Sequence, residues 1–145
     1  GGQSRLERLV PKIAAWHRWF MTWRSHNGAI CITHPWEAGR DNAPDWAGAL
    51  AAITPAGVGD YQRRDLGHVD AAMRPTKEDY VRYIWLVQRG RRLGWVEATL
   101  AQDRPFMVAD PTMTFVLMRA NQDLLALARA VGHPTEDNER RSETL

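Results

Sequence analysis

The 145-residue sequence has little cysteine, no long apolar run and almost no net charge. Its single cysteine, Cys31, excludes an internal disulfide and fits a reducing compartment, which predicts a cytoplasmic location. No apolar run reaches the roughly 20 residues that a membrane-spanning helix needs, so we predict no membrane partner.

The charged residues are balanced and mostly scattered. The 19 basic and 17 acidic residues leave a net charge of +2. Because nucleic-acid binders concentrate positive charge on one face, we also predict no nucleic-acid partner. No His, Cys or Asp spacing is typical of a structural zinc site, and we predict no metal and no cofactor.

Helical periodicity accounts for most of the sequence, whereas strand-like alternation is nearly absent. Apolar residues at spacings of three and four run through residues 6–23, but Pro11 interrupts them. Because proline breaks the middle of a helix, this pattern predicts a helical tail or turn over Ser4–Val10 and a second helix over about Pro11–Arg24. Paired helices joined by long loops predict an all-α fold of the helical array or toroid type.

Two later helices carry start signals. Thr76 followed by Asp79 is a capping box that opens a helix running to about Leu93. Asp110 followed by Pro111 opens the longest helix, because aspartate is a favoured N-cap and proline a favoured first helical residue.

The connections between the helices are less regular. Asn27-Gly28 predicts a turn, Ala29–Thr33 fits a strand or an extended loop, and Trp95–Ala101 fits a short helix. Two interpretations of Asp65–Met73 stay open, and the charged residues Glu136–Glu143 fit the start of another helix, with disorder as the alternative.

The most informative segment is the loop that begins His34-Pro-Trp-Glu-Ala-Gly-Arg-Asp-Asn-Ala-Pro-Asp45. Glycoside hydrolysis uses two carboxyl groups, one that protonates the leaving oxygen and one that attacks or activates a water. The loop offers three carboxyl groups at intervals of four residues, Glu37, Asp41 and Asp45.

The neighbours of Asp41 suit a sugar pocket. Arg40 and Asn42 flank it and can hydrogen-bond sugar hydroxyls, while Trp36 and Trp46 bracket the group with flat faces that can stack on sugar rings. By residue chemistry alone, a loop-capping aspartate remains the better interpretation of Asp41.

The segment His34–Pro44 resembles the signature His-Pro-Trp-Glu-Ser-Gly-x-Asp-Asn-Ser-Pro of glycoside hydrolase family 63 and its bacterial relatives. These include mannosylglycerate and glucosylglycerate hydrolases and processing α-glucosidases. Ala38 and Ala43 stand where the family has serine, which removes two hydroxyls from the pocket edge. The similarity continues through His68–Ala72, Arg74–Thr76, Tyr80–Leu86 and the helix that begins at Asp110-Pro111.

The resemblance implies part of an (α/α)6 toroid built from helical hairpins, and an inverting mechanism on α-glycosides. It makes Asp41 the general acid. It places four side chains on the sugar subsite, namely Trp36, Glu37, Arg40 and Asn42.

The region from Arg74 to Tyr80 resembles the glycerate-glycoside branch of the family. The resemblance implies that Arg74 and Tyr80 bind the carboxylate of a glyceryl aglycone, because a planar guanidinium suits a carboxylate. An ion pair to a neighbouring carboxylate is the alternative for Arg74.

The second carboxylate of the family, the general base, lies far downstream of this motif and matches no residue here. We therefore expect residues 1–145 to be a fragment of a single catalytic domain, inactive by itself, from an enzyme that hydrolyses a small glucosyl or mannosyl glycoside. The expected partners are a carbohydrate substrate and either the remainder of the same domain or a second copy of the chain. The alternative function is a non-catalytic helical scaffold or sugar-binding module, which the apolar helix stripes and the missing base favour.

Aromatic and histidine side chains outside this pocket are expected to be structural. One helix face carries three tryptophans that we place in the core, Trp16, Trp19 and Trp23. We expect His17 and His26 at the surface, and His34, which precedes a proline, to shape the loop.

Overall fold

Helices dominate the structure, a computed structural model that describes residues 2–63, 67, 70–135 and 139. The helices and strands, in chain order, are α1 (Gly2–Trp23), β1 (Ser25–His26), β2 (Ala29–Ile32), α2 (Ala47–Ala51), α3 (Lys77–Arg92), α4 (Glu97–Leu100), β3 (Val108–Ala109) and α5 (Pro111–Ala130). Short 3-10 helices span Pro35–Ala38, Pro44–Trp46 and Ala71–Met73. The all-α prediction is right for the helical majority, but it missed a small sheet with the strand order β1-β2-β3. In the open stretch 65–73, residues 65, 66, 68 and 69 lie outside the described residues, and its end forms the 3-10 helix Ala71–Met73. In the stretch 136–143, only residue 139 is described.

The chain divides into two compact units. The α1–α5 unit comprises Gly1–Cys31 and Ala109–Leu145, and the loop unit comprises Ile32–Val108. Every residue predicted to belong to the active site lies in the loop unit. Within the described residues, no helix combines the length and the apolar character that crossing a bilayer requires.

The core of the α1–α5 unit explains how α1 accommodates a proline. Val10 and Ala14 of α1 are buried together with Leu124 and Ala128 of α5. The helix runs unbroken through Pro11, so the predicted break at this residue is wrong. Proline removes one backbone hydrogen bond of the helix, but apolar packing on both sides of it supports the continuous helix.

A polar pair is buried in the same unit. Nδ1 of His17 donates a hydrogen bond to Oδ1 of Asn121 over 2.6 Å, and both residues are at most 1% exposed. The predicted surface position of His17 is therefore wrong, because a partner on α5 satisfies its polar atom. The predicted core position of Trp16 is also wrong, since it is 58% exposed. Trp19 and Trp23 are partly buried.

The hairpin of β1 and β2 confirms the predicted turn. The strands pair antiparallel with Ser25 opposite Ile30. Between the strands, Asn27 and Gly28 have φ angles of 50° and 77°, and positive φ at both central residues is the turn geometry that matches the twist of a hairpin. His26 is exposed, as predicted.

Both predicted helix starts are confirmed. The side chain of Thr76 accepts a hydrogen bond from the backbone N–H of Asp79 and caps α3. The side chain of Asp110 accepts from the backbone N–H of Met113, and Pro111 is the first residue of α5. These caps fix where α3 begins, and therefore which of its side chains lie beside the loop of the candidate site.

Candidate functional site

The candidate site begins with a 3-10 turn after β2, which His34 caps. Nδ1 of His34 accepts from the backbone N–H of Trp36 over 3.0 Å. Its Nε2 lies 3.0 Å from the backbone carbonyl oxygen of Tyr83 and must donate to it, so the ring is neutral. Burial lowers the pKa of His34 below its ordinary value of 6.5, while the bond to Tyr83 and the charge of Glu37 act in the opposite direction. The prediction that His34 shapes the loop is confirmed.

An aromatic edge forms next to this turn. Trp36 is 43% exposed, and its ring centroid lies 6.2 Å from that of Tyr80 and 6.0 Å from that of Tyr83, in edge-to-face geometry. The guanidinium of Arg63 lies 4.3 Å from the centroid of the Tyr80 ring. The structure thus brings the predicted residues Trp36 and Tyr80 together and adds a cation that sequence analysis missed, because no motif singles out Arg63.

Glu37 is engaged in local bonds. Its carboxylate accepts from the backbone N–H of Thr33 over 2.8 Å and from the Thr33 hydroxyl over 3.1 Å. The residue remains exposed. Glu37 therefore closes the turn, and any contact with a sugar would come in addition to this role.

Arg40 turns toward the end of the loop. Its Nη1 lies 3.1 Å from Oδ2 of Asp45, and its guanidinium lies 5.2 Å from the centroid of the Trp46 ring. Trp46 is only 2% exposed, because the 3-10 turn that carries it leads directly into α2. This burial argues against the predicted stacking of Trp46 on a sugar and gives it a place in the core of the loop unit.

Asp41 and Asn42 are both tied to residues much later in the loop unit. The Asp41 side chain is 30% exposed, and its Oδ2 lies 3.7 Å from Nη2 of Arg74. The hydroxyl of Tyr83 donates to the backbone carbonyl of Asp41. Nδ2 of Asn42 donates to the carbonyl oxygen of Met73 over 3.0 Å. Arg74 thus forms an ion pair with a neighbouring carboxylate, which is the alternative that its sequence context offers.

Tyr83 also belongs to this group, although the sequence predicts no site role for it. It is 2% exposed; burial raises its pKa to about 12, and the charge of Asp79 contributes in the same direction. The hydroxyl is therefore a hydrogen-bond donor at any physiological pH. The available signal was its spacing of three from Tyr80, which puts both rings on one face of α3.

The arrangement combines three kinds of chemical group. A partly exposed carboxyl group at Asp41 can exchange a proton with a bound oxygen atom, the guanidinium of Arg74 can bind a carboxylate at two points, and the face of Trp36 can stack on a sugar ring. Among the described residues, no three side chains of the His, Cys, Asp or Glu type are placed to hold a metal ion.

Comparisons with known proteins point in one direction. A family model described as the mannosylglycerate hydrolase MGH1-like glycoside hydrolase domain matches residues 1–145. Mannosylglycerate hydrolase MGH1 of Selaginella moellendorffii is 47% identical over 139 residues, which are 94% of this chain and 28% of that protein. A mannosylglycerate hydrolase of Thermus thermophilus is 41% identical over 128 residues, 87% of this chain and 31% of that protein.

Solved structures agree with the sequence relatives. The crystal structure of a family GH63 mannosylglycerate hydrolase from Thermus thermophilus, in complex with Tris and D-glycerate, superposes with a TM-score of 0.90 at 37% identity. The match covers 98% of this chain and 35% of that one. The chain thus spans about a third of the length of the proteins it matches.

Proposed function

The chain belongs to the family of mannosylglycerate hydrolase MGH1-like glycoside hydrolase domains, and from this premise we propose that it forms the acid-bearing part of an inverting α-glycosidase. The substrate is a small mannosyl or glucosyl glycoside of glycerate. In the whole protein, its helices form part of an (α/α)6 toroid, and a second carboxyl group outside the Asp41 motif serves as the base.

The placement of Asp41 carries this proposal. Its carboxyl group is partly exposed, lies 3.7 Å from Arg74, and belongs to a backbone segment held by the hydroxyl of Tyr83. A general acid needs this combination of access to the glycosidic oxygen and a fixed position, because proton transfer requires hydrogen-bond distance to the reacting atom. Asp41 therefore protonates the leaving oxygen, and the base activates a water on the opposite face of the sugar.

Arg74 and Tyr80 provide the aglycone side of the site. A guanidinium binds a carboxylate in a planar, two-point contact, which matches the charged end of glycerate. A glycerate carboxylate on Arg74 would compete with Asp41 for the guanidinium and free the Asp41 side chain to face the glycosidic bond. The D-glycerate in the Thermus thermophilus crystal structure supports this class of ligand.

The sugar side is formed by the aromatic edge and the polar loop. Trp36 offers an exposed face to a sugar ring, next to Tyr80. Arg40, Asn42 and Glu37 are exposed residues, so sugar hydroxyls can reach all three in addition to their local bonds. Trp46 is left out of this subsite because it is buried.

The test is Asp41→Asn in the whole protein. This isosteric change removes the transferable proton, so kcat for α-mannosylglycerate or α-glucosylglycerate should fall by about 10²–10⁴-fold. The folded state should be retained, as measured by circular dichroism and thermal unfolding. Asp123→Asn serves as the matched control, since Asp123 is an exposed partner of Arg119 on α5 and its loss should leave turnover unchanged.

Two results would contradict the proposal. Near-normal turnover by Asp41→Asn would remove Asp41 from the role of acid. If the wild-type whole protein bound these glycosides in a calorimeter and released no sugar, the alternative of a non-catalytic sugar-binding module would stand instead.

A further inference from the structure

We infer that Tyr83 is the positioning residue of the proposed acid, holding both ends of the loop from His34 to Asp41 on helix α3. This inference rests on the proposed function, because it assigns Tyr83 to the placement of Asp41. Tyr83 itself would touch neither the sugar nor the leaving group.

Two different parts of Tyr83 hold the two ends of the loop from His34 to Asp41. Its backbone carbonyl accepts from Nε2 of His34 at the start of the loop, over 3.0 Å. Its hydroxyl, at the far end of the same side chain, donates to the backbone carbonyl of Asp41. Both anchors therefore come from one residue in the interior of a regular helix, and the segment between them is fixed to a single rigid element.

The ring of Tyr83 supports the middle of the loop. Its centroid lies 5.8 Å from that of His34 and 6.0 Å from that of Trp36, both in edge-on geometry. The residue is only 2% exposed, so its ring has little freedom to move. A fixed ring gives the hydroxyl a fixed position, and the hydroxyl transmits that position to Asp41.

The bond of Tyr83 to Asp41 goes to the backbone and not to the carboxyl group. It therefore leaves both carboxyl oxygens free for Arg74 and for a leaving oxygen, while it fixes the peptide from which the side chain extends. Displacement of a catalytic group by about 1 Å can cost about 10²-fold in rate, which sets the scale of the expected effect. Because the pKa of Tyr83 is raised to about 12, the hydroxyl keeps its proton over the working pH range.

The decisive experiment compares two leaving groups in the whole protein carrying Tyr83→Phe. The first substrate is α-mannosylglycerate or α-glucosylglycerate, whichever the whole protein hydrolyses, since its poor leaving group needs a well-placed acid. The second is the matching α-glycosyl fluoride, whose leaving group depends little on general acid catalysis. We expect kcat for the glycerate glycoside to fall about 10–100-fold with KM within about twofold, and fluoride hydrolysis to change by less than about threefold.

Thr112→Val is the control, because it also removes a hydroxyl group, in this case from an exposed residue in the first turn of α5, outside the loop unit. It should leave both activities unchanged. If Tyr83→Phe hydrolyses the glycerate glycoside normally, Tyr83 does not position the acid. If it loses both activities equally, Tyr83 has a general structural role and the inference is wrong.

Asp41→Asn, measured on the same two substrates, separates this inference from the proposed function. If kcat for the glycerate glycoside falls in Asp41→Asn but not in Tyr83→Phe, only the positioning role of Tyr83 is overturned. A normal Asp41→Asn overturns the proposed function, and the inference that rests on it falls as well. If kcat for the glycerate glycoside falls in both variants while fluoride hydrolysis is unchanged in both, the proposed function and the positioning role of Tyr83 are both supported.

Discussion

At the residue scale, His34 illustrates how a titratable group can serve as a structural connection. Its Nδ1 must accept from Trp36 while its Nε2 donates to Tyr83, and only the neutral imidazole can do both. Protonation would convert the acceptor into a second donor that faces an N–H group. Acid should therefore loosen the turn at the start of the loop.

This requirement predicts a pH-dependent stability. Burial lowers the pKa of His34 below its unfolded value near 6.5, so between the two values the unfolded chain binds more protons. The free energy of unfolding should therefore decrease as the pH falls below 6.5, by at most about 1.4 kcal/mol per pH unit from this one group. Denaturant unfolding at several pH values between 7.5 and 5 measures the slope of the free energy of unfolding against pH.

The matched variants are His34→Gln and His26→Gln. Glutamine at position 34 keeps an acceptor and a donor but does not titrate, so this part of the slope should disappear. His26 is exposed on β1, and its replacement should leave the slope in place. Equal slopes in the wild type and in His34→Gln would show that His34 does not control acid stability.

At the scale of elements, the starts of α3 and α5 could be predicted because their signals are local. Thr76 and Asp110 each satisfy a backbone N–H group three residues ahead, and a short sequence window contains both partners. The helix at Pro11 could not be predicted in this way. Its continuity depends on packing between α1 and α5, which are far apart in sequence.

The same limit explains the errors on the faces of α1. Periodicity identifies an apolar stripe but not its centre, so it predicts Trp16 inside and His17 outside, the reverse of what the structure has. The burial of His17 depends on Asn121, 104 residues later in the chain. In the candidate site, the loop motif could be recognised from the sequence. The hydrogen bond from Tyr83 to Asp41 could not, because it joins residues 42 positions apart and has no local sequence pattern.

The end of α3 offers a test of packing at the same scale. The backbone N–H of Trp95 donates to the carbonyl oxygen of Gly90 over 3.0 Å, and Trp95 has a φ angle of 57°. A Cβ atom at Gly90 would overlap the Trp95 ring, with two ring atoms 2.6 and 2.7 Å away. Gly90→Ala should therefore lower the free energy of unfolding by about 1–3 kcal/mol, as measured by denaturant titration.

Gly48→Ala is the control for this change. Gly48 lies in α2, and a Cβ there meets nothing within 4 Å. Alanine at this position should be neutral or stabilising by up to about 1 kcal/mol, because it favours the helix. If Gly90→Ala proved as stable as Gly48→Ala, the ring of Trp95 would not be packed against α3 as described.

At the scale of the whole molecule, the proposed chemistry needs more than one carboxyl group. An inverting glycosidase places its acid and base roughly 6.5–9.5 Å apart, with a water between the base and the sugar. The two other carboxylates of the loop are already engaged, since Glu37 accepts two bonds from Thr33 and Asp45 pairs with Arg40. Neither is therefore free to serve as the base without losing a contact that shapes the loop.

We accordingly expect the 145-residue chain by itself to release no sugar from α-mannosylglycerate or α-glucosylglycerate, whereas the proposed function predicts that the whole protein releases it. The purified chain should first be shown to unfold cooperatively, so that lack of turnover is not caused by lack of folding. Sugar release is then measured alongside the whole protein at equal molar concentration. If the chain by itself released sugar and Asp41→Asn abolished this activity, the prediction would be wrong. Glu37 and Asp45 would then be the first candidates for the base, and Glu37→Gln and Asp45→Asn would test them.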